Sequence, residues 1–256
     1  MTASVPETLA ATLIFTKRAQ NKESFHVADR NIGTGVAALS IAATWIWAPA
    51  LFTSAEKAYI NGIPGIFWFL VPNVLCLIIF IPFAKRIRER CPSGITLTGY
   101  MTDEYHSPKV KGVYTFQLGA LAVLSTSVQL LAGGKMLSTI LGIPLWIVTF
   151  ILAGIAYSYS RFSGLKASVA TDVIQLGIIL IGCGLLVPWT VTEAGGVSTI
   201  LNGLGSVSGE FDSLFSKSGL DVFLGFGLPT TIGLLSGPFG DQCFWQRAFS
   251  IKKNSI

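Results

Sequence analysis

The segment Gly33–Phe52 contains twenty residues without a charge, and Pro49 stands near its end. At about 1.5 Å per residue, a helix of this length spans the hydrocarbon core of a bilayer. Because proline has no N–H to donate to the carbonyl of Trp45 and its ring crowds that carbonyl, we expect a kink or break between about Ala43 and Pro49. Free carbonyls within a membrane are tolerated only where they face protein, water or a bound ion. The segment is therefore a candidate substrate or cation site.

Five further charge-poor segments are long enough to span a membrane. The chain has 256 residues, of which 51% are hydrophobic and only 12% are charged. Its mean hydropathy of +0.63 is that of a membrane protein and not of a soluble one. The sequence therefore predicts an all-α polytopic membrane protein with six crossings, at residues 33–52, 58–84, 112–134, 136–160, 173–192 and 222–240.

Lysine and arginine residues cluster at alternate ends of the predicted spans. Fifteen of the eighteen fall on one side of the membrane under this topology, and Lys57, Lys135 and Lys217 fall on the other. The positive-inside rule assigns the basic side to the cytoplasm, so the first span runs outward and the sixth ends in the cytoplasm. A net charge of +5 could suggest binding to nucleic acid, but the clustering of the basic residues at one side of the membrane explains their number instead. We therefore predict a multi-pass protein of the cell membrane that contacts lipid and not nucleic acid.

A short apolar stretch, Leu9–Phe15, precedes the first span and runs directly into Lys17 and Arg18. It is either the stub of a further helix or an interfacial segment. Since the basic residues follow the apolar run instead of preceding it, the stretch does not resemble a secretory signal.

The predicted spans contain no nucleophile with a base, no glycine-rich phosphate loop and no paired carboxylates. No pair of the four cysteines has the spacing of metal ligands or of a disulfide framework, and His26 and His106 both lie in predicted cytoplasmic loops, which argues against a metal site within the membrane. The sequence therefore predicts a protein that is not an enzyme and that has no cofactor.

Asp172 lies at the start of the fifth predicted span, and Thr171 and Gln175 flank it one helical turn apart. Ionisable groups at membrane depth are costly and usually serve a function, which favours a cation exit path. Alternatively, Asp172 and Thr171 cap the first turn of the helix and complement its dipole. Both interpretations stay open on the residues alone.

Trp45 and Trp47 lie two positions apart beside the expected break. On a continuous helix their side chains would point to different faces. A tryptophan in mid-span usually serves packing, but beside freed carbonyls it can also form a platform or gate for a ligand. The residues leave these two roles equally open.

The sixth predicted span is interrupted as well. It contains the helix-weakening segment Gly225–Pro229, and Pro238–Gly240 follows near its inner end. Two interrupted helices in matching positions five spans apart are expected of a transporter with inverted repeats.

Two strings before and within the fifth span resemble the signature of the sodium:solute symporter family: Gly164-Leu165-Lys166-Ala167 and Thr171-Asp172-Val173-Ile174-Gln175. Phe25–Arg30 is similar to the family's cytoplasmic lead into its first core helix. The resemblance covers nearly the whole chain, and Ser163 departs from it because the family usually has a glycine there. Within the family, the urea and polyamine branch is the most similar, through Thr44–Ala48, Ala58-Tyr59 with Gly62-Ile63, and Asp241–Ala248.

The resemblance implies a leucine-transporter-like fold with ten core helices in two inverted sets of five. It divides the chain into a helix stub with a cytoplasmic loop, the first five-helix repeat, an extracytoplasmic loop, and the sixth core helix with a cytoplasmic tail, at 1–32, 33–192, 193–221 and 222–256. We expect the other four core helices, and the hydroxyl residues that complete the family's sodium site, to lie beyond Ile256. The second repeat is then incomplete, and we expect this chain alone not to perform coupled transport.

The resemblance also implies site residues. The family binds sodium through two main-chain carbonyls of its first core helix, at positions that match Ala43 and Ile46. The aspartate that matches Asp172 is linked to sodium coupling. The expected substrate contacts are Trp45, Trp47, Asp241 and Gln242. We expect Arg247 to fix the inner end of the sixth helix to lipid phosphate or to a neighbouring loop.

The function that the resemblance implies is secondary transport by alternating access. The expected cargo is a small nitrogenous solute, first of all urea, and the expected coupling ion is sodium, with protons as the second choice. Two alternatives remain: a transporter-like sensor module, or an incomplete product that does not transport. The sequence does not indicate an oligomeric state, because small-residue patterns are common in membrane helices.

Overall fold

A computed structural model describes residues 21–252 without the side chains of 159–163, and the predicted stub at Leu9–Phe15 lies outside the described residues. The described chain is helical apart from turns and one isolated parallel bridge between Ile32 and Ile251. Its α-helices are α1 Lys22–Val27, α2 Thr34–Trp45, α3 Ala48–Arg90, α4 Leu97–Tyr105, α5 Pro108–Leu141, α6 Leu145–Glu193, α7 Val197–Asn202, α8 Lys217–Val222, α9 Leu228–Gly240 and α10 Gln242–Ser250. A 3-10 turn, Ala28–Arg30, follows α1, and a π-helical turn, Phe223–Gly227, joins α8 to α9. The predicted all-α class is confirmed.

Four stretches of the described helices are long and apolar enough to cross a membrane: Ala48–Arg90, Pro108–Leu141, Gly164–Glu193 and Lys217–Gly240. The first and fourth predicted spans correspond to shorter apolar helices, Thr34–Trp45 and Leu145–Ser158. Residues 48–52, which the prediction assigned to the first span, form the start of α3. This arrangement is that of a polytopic membrane protein.

The predicted boundary between the third and fourth spans is wrong. α5 continues through Lys135 and ends at Leu141, where Gly142 takes a left-handed conformation with φ of 67°. Pro144 then precedes α6, which begins at Leu145. Lysine is a good helix former, whereas glycine at a helix end followed by proline stops a helix.

Contacts divide the chain into two compact units. The first unit comprises Met1–Ala48, Ala84–Gly177 and Phe239–Ile256, and the second comprises Pro49–Phe83 and Ile178–Pro238. Every residue predicted for the sodium and substrate sites falls in the first unit.

In the first unit, the chain after α1 turns through three left-handed residues, Ala28, Asp29 and Arg30, with φ of 53°, 54° and 51°. This conformation is unfavourable for residues with a β-carbon, so the surroundings must hold it. Lys166 Nζ donates to Asp29 Oδ2 at 2.5 Å, which lowers the pKa of the Asp29 carboxyl. Arg30 Nη1 and Nη2 donate to the carbonyls of Gly94 and Ser93, both at 2.8 Å.

The segment of residues 25–32, called the lead segment below, packs against a bend in α6 at Gly164, where φ is 59° and ψ is −157°. A β-carbon at Gly164 would lie 2.6 Å from the carbonyl oxygen of Phe25, so only glycine allows this approach. After the bend, α6 contributes to a small buried apolar cluster, formed by Ala28, Ile32, Ala37, Leu165 and Val169.

The end of α10 and the residues after it also join the lead segment. The Ile32 N–H donates to the carbonyl of Ser250 at 3.1 Å, and the Lys252 N–H donates to the carbonyl of Ile32 at 3.0 Å. Arg88, which is 5% exposed, donates to the carbonyls of Pro92 and Ile251. Ile32, which precedes α2, and the ends of α3 and α10 are thus tied through main-chain carbonyls.

In the second unit, α3 is broken at Gly62, where φ is 50° and ψ is −136°. The break turns the Ile63 N–H toward the loop after α7, and it donates to the carbonyls of Leu204 and Phe211, both at 3.1 Å. A β-carbon at Gly62 would lie 2.5 Å from each of those oxygens. Glycine at this position therefore lets the loop dock on α3.

The π-helical turn of the second unit packs against Trp68. The Trp68 ring lies 4.6 Å from the ring of Phe223, centroid to centroid. A β-carbon at Gly227 would lie 2.7 Å from Trp68 Cγ, whereas one at Gly225 would meet no described atom within 4 Å apart from the nearby backbone of its own turn. Gly227 is thus a packing requirement, although Gly225 belongs to the same turn.

We expect Gly227→Ala to destabilise the protein by about 1–3 kcal/mol, because overpacking forces the Trp68 ring or the turn to shift. Gly225→Ala is the matched control and should leave stability unchanged within about 0.5 kcal/mol. The unfolding midpoint of each purified variant in detergent measures this difference. Equal midpoints for the two variants would contradict the packing role of Gly227.

Candidate substrate and cation site

The first predicted helix is broken at Ile46 and Trp47. α2 ends at Trp45, and the Ile46 N–H donates to the carbonyl of Ala42 at 3.2 Å. Ile46 and Trp47 have extended backbones, with ψ of 92° and 155°. Pro49 stands in the first turn of α3, where its missing N–H costs nothing. The predicted break is confirmed within the predicted interval.

The break leaves main-chain oxygens available as ligands. Ala43 lies in the last turn of α2, and the last carbonyls of a helix lack intrahelical donors. Ile46 follows in extended backbone, and the residue is 41% exposed. Gln129 Oε1 accepts the Ala48 N–H at 3.2 Å and so caps the start of α3. The backbone thus fits the expected sodium ligands, Ala43 and Ile46, which stay predictions.

Trp45 packs beside the break with its indole N–H buried. Its ring meets Phe244 of α10 edge to face, at 5.4 Å between centroids and an interplanar angle of 81°. Among the described residues, Trp45 Nε1 has no hydrogen-bond acceptor. A buried donor without an acceptor is unfavourable unless a ligand supplies one. Trp47 is half-buried, two residues past the last residue of α2.

Asp172 lies in a buried polar cluster that joins three helices. Its Oδ2 accepts from Ser40 Oγ of α2 at 2.5 Å and from Arg247 Nη2 of α10 at 2.6 Å. Arg247 Nε donates to Ser40 Oγ at 2.7 Å, and Nη2 donates to Ser168 Oγ at 3.2 Å. Ser40 is fully buried, and the side chains of Arg247 and Asp172 are 6% and 14% exposed.

Arg247 was predicted to contact lipid phosphate or a neighbouring loop, but its side chain contacts Asp172, Ser40 and Ser168 instead. It is paired inside the unit because a buried carboxylate at Asp172 requires a nearby positive charge. The sequence held one signal for this pairing, since Arg247 is the only basic residue in α10. Ser168 lies one helical turn before Asp172 on α6, and its spacing could have identified it.

The structure assigns Asp241 and Gln242 to the support of α10. Asp241 is the N-cap residue, and its Oδ1 accepts the Cys243 N–H at 2.8 Å. Gln242 Oε1 accepts the Leu97 N–H at 3.0 Å, and its Nε2 donates to the carbonyl of Ile95 at 3.3 Å. These contacts hold the start of α10 beside α4, and a role in substrate binding stays a prediction.

The sequence profile of the sodium:solute symporter family matches residues 25–256. The chain belongs to this family. The resemblance in the strings around Gly164 and Asp172 is thereby confirmed. Membership accounts for the long apolar helices as those of a multi-pass integral membrane protein.

Several curated family members are named as urea transporters. The chain is 25% identical to "Probable urea active transporter 1" of Schizosaccharomyces pombe, over 92% of this chain and 37% of that protein. It is 26% identical to "Urea active transporter" of Saccharomyces cerevisiae, over 89% of this chain and 32% of that protein. It is 22% identical to a urea-proton symporter of Oryza sativa subsp. japonica, over 91% of this chain and 36% of that protein. These relatives are transporters and not enzymes, as predicted.

The chain spans about a third of the length of these curated relatives. Its own match covers about nine-tenths of its residues, from the lead segment through α10. The broken helix and the cluster around Asp172 both lie within the matched region.

Proposed function

We propose that the protein is a cation-coupled symporter that imports urea or a similarly small nitrogenous solute. The observation that carries this proposal is the helix break at Ile46 and Trp47, which lies in a chain that the symporter family matches from residue 25 onward. The names of the matched relatives support urea as the first substrate to test.

The proposed sodium ligands are the carbonyl oxygens of Ala43 and Ile46, with Asp172 as a further anionic ligand. Carbonyl and carboxylate oxygens suit hard cations, and the end of α2 supplies carbonyls without intrahelical donors. The negative end of the α2 dipole also points toward the break, which favours a cation there.

The proposed substrate contacts are Trp45, Trp47, Asp241 and Gln242. Urea offers one carbonyl acceptor and two amide groups, which together carry four N–H donors. The buried Trp45 N–H is suited to donate to the acceptor, and the carboxylate of Asp241 is suited to accept from the donors. The aromatic ring of Trp47 would supply a flat apolar face.

Alternating access is the proposed mechanism. A cation at the end of α2 would stabilise the conformation in which the substrate site is complete, and solute would then bind with higher affinity. By linkage, the solute raises the affinity for the cation by the same factor.

Uptake of radiolabelled urea by cells that express the intact gene tests the proposal. We expect accumulation to require an inward sodium gradient and to fall when potassium replaces sodium. Accumulation that follows a proton gradient instead would assign proton coupling, which the name of the Oryza sativa relative favours as the second candidate. Uptake indifferent to both gradients, or absent with both, would contradict cation-coupled urea import.

Trp45→Phe keeps an aromatic ring and removes the indole N–H. We expect the half-saturating urea concentration to rise roughly three- to tenfold, the effect of one lost neutral hydrogen bond. Trp189→Phe is the matched control, because Trp189 is 61% exposed on α6. An unchanged half-saturation in Trp45→Phe, measured as initial uptake rates, would exclude the indole N–H as a substrate donor.

A further inference from the structure

The proposed cation ligand Asp172 already has a cation beside it. The Arg247 guanidinium lies 2.6 Å from Asp172 Oδ2 through Nη2. The pair is buried, with the two side chains 6% and 14% exposed. A carboxylate with so little contact with solvent needs one positive partner, and the guanidinium fills that need here.

The guanidinium sits among oxygen atoms that would also suit a metal cation. It donates to Ser40 Oγ at 2.7 Å and to Ser168 Oγ at 3.2 Å, in addition to Asp172 Oδ2. Carboxylate and hydroxyl oxygens are ligands that hard cations prefer. Three such oxygens therefore converge on one place, which a single positive group can occupy at a time.

Arg247 has an anchor apart from this oxygen set. Its Nη1 donates to the carbonyl of Cys243, one turn earlier on α10, at 3.0 Å. If the contact with Asp172 opens, the side chain therefore keeps a partner on its own helix. Ser40 Oγ donates to Asp172 at 2.5 Å and can remain beside the carboxylate when the guanidinium leaves.

We propose that Arg247 is an internal counter-ion that exchanges with the coupling cation at a subsite formed by Asp172, Ser40 and Ser168. When a metal cation binds to these oxygens, the guanidinium leaves them, and the tie between α10 and the other two helices opens. When the cation departs, Arg247 restores the tie. The inference rests on the proposed function, since it assigns the coupling cation to Asp172.

The test is the effect of sodium on the unfolding midpoint of the protein, which is expressed from its gene and purified in detergent. Sodium chloride is titrated against choline chloride at constant ionic strength, because a ligand of the folded state raises the midpoint with its concentration. In Arg247→Gln the competitor is absent. We expect a lower midpoint than wild type in choline and a half-saturating sodium concentration about tenfold below the wild-type value.

Arg247→Lys is the control for the positive charge, because it keeps a competing cation beside Asp172 and changes only the shape of the side chain. Its half-saturating sodium concentration should be closer to the wild-type value than that of Arg247→Gln is. If Arg247→Gln and wild type respond to sodium at the same concentration, the exchange is wrong.

Ser168→Ala gives a second test that keeps the charge pair, should Arg247→Gln fail to fold. It removes one oxygen of the subsite and only the longest contact of the guanidinium, so the half-saturating sodium concentration should rise about tenfold. Ser158→Ala is the matched control, because the Ser158 hydroxyl is exposed on α6 and donates to the carbonyl of Ile155. An unchanged sodium response in Ser168→Ala would overturn the subsite.

Asp172→Asn separates this inference from the function on which it rests. If Asp172→Asn responds to sodium like wild type, Asp172 is not a cation ligand, and both the proposed ligand and the exchange fail. A second outcome is that Asp172→Asn loses the response to sodium while Arg247→Gln keeps the wild-type half-saturating sodium concentration. Asp172 is then supported as a cation ligand, and only the exchange with Arg247 is overturned.

Discussion

Gly164→Ala is expected to destabilise the protein by about 4 kcal/mol or more. Two effects add at this position. With φ of 59° and ψ of −157°, the backbone occupies a region that costs other residues about 1–3 kcal/mol. The new β-carbon would also lie 2.6 Å from the Phe25 carbonyl oxygen and 2.9 Å from Phe25 Cα, and neither backbone atom can move aside cheaply.

Gly177→Ala is the matched control for Gly164→Ala. Gly177 lies on the same helix, and a β-carbon there would meet no described atom within 4 Å apart from the backbone of its own helix. Alanine at an open helical position is neutral or slightly stabilising. The measurement is the yield and unfolding midpoint of each variant in detergent. A Gly164→Ala protein within about 1 kcal/mol of wild type would show that the lead segment does not depend on this contact.

Arg30→Met is expected to cost about 3 kcal/mol. The guanidinium donates to the carbonyls of Ser93, Gly94 and Phe249 and to Glu23 Oε1, and the side chain is only 16% exposed. A charged donor contributes about 1.5–3 kcal/mol for each well-made hydrogen bond, and carbonyls left unsatisfied add to the loss. Methionine keeps the apolar stem and the backbone preference, so the variant isolates the loss of the donors.

Arg90→Met is the control for Arg30→Met, since it removes an arginine with few contacts. The Arg90 side chain is 52% exposed, and its ion pair with Glu104 spans 3.8 Å. Exposed pairs of this kind contribute about 0–1 kcal/mol. Protease sensitivity of the lead segment gives a second readout, because its left-handed turn should open when the donors of Arg30 are lost. Equal midpoints for the two variants would contradict the role of Arg30.

The position of the helix break could be predicted from Pro49 because the rule is local. Proline removes a main-chain donor within the same turn, whatever the tertiary structure. The end of α5 could not be placed from charge, since Lys135 is accommodated inside a helix whereas Gly142 and Pro144 end it. Glycine and proline therefore predicted the end of this helix better than a charged residue did.

Asp172 was identifiable as a candidate, but its surroundings were not. Its partner Ser40 lies 132 residues away in the sequence, and Arg247 lies 75 residues away. No periodicity or spacing rule relates residues at such separations. The same limit applies to Gln242, whose amide atoms contact the backbone of Ile95 and Leu97, at the start of α4, and not a position that its own helix predicts.

The amino-acid sequence by itself determined that this chain is an apolar, helical membrane protein with a first helix that breaks near Pro49. These properties depend on hydrogen bonds and hydrophobicity within single segments. Only the tertiary structure decided that Gly164 must be glycine. It also decided that the Asp172 carboxylate is paired with Arg247 and accepts a hydrogen bond from Ser40. Those features depend on contacts between residues of four helices, α1, α2, α6 and α10, which only folding brings together.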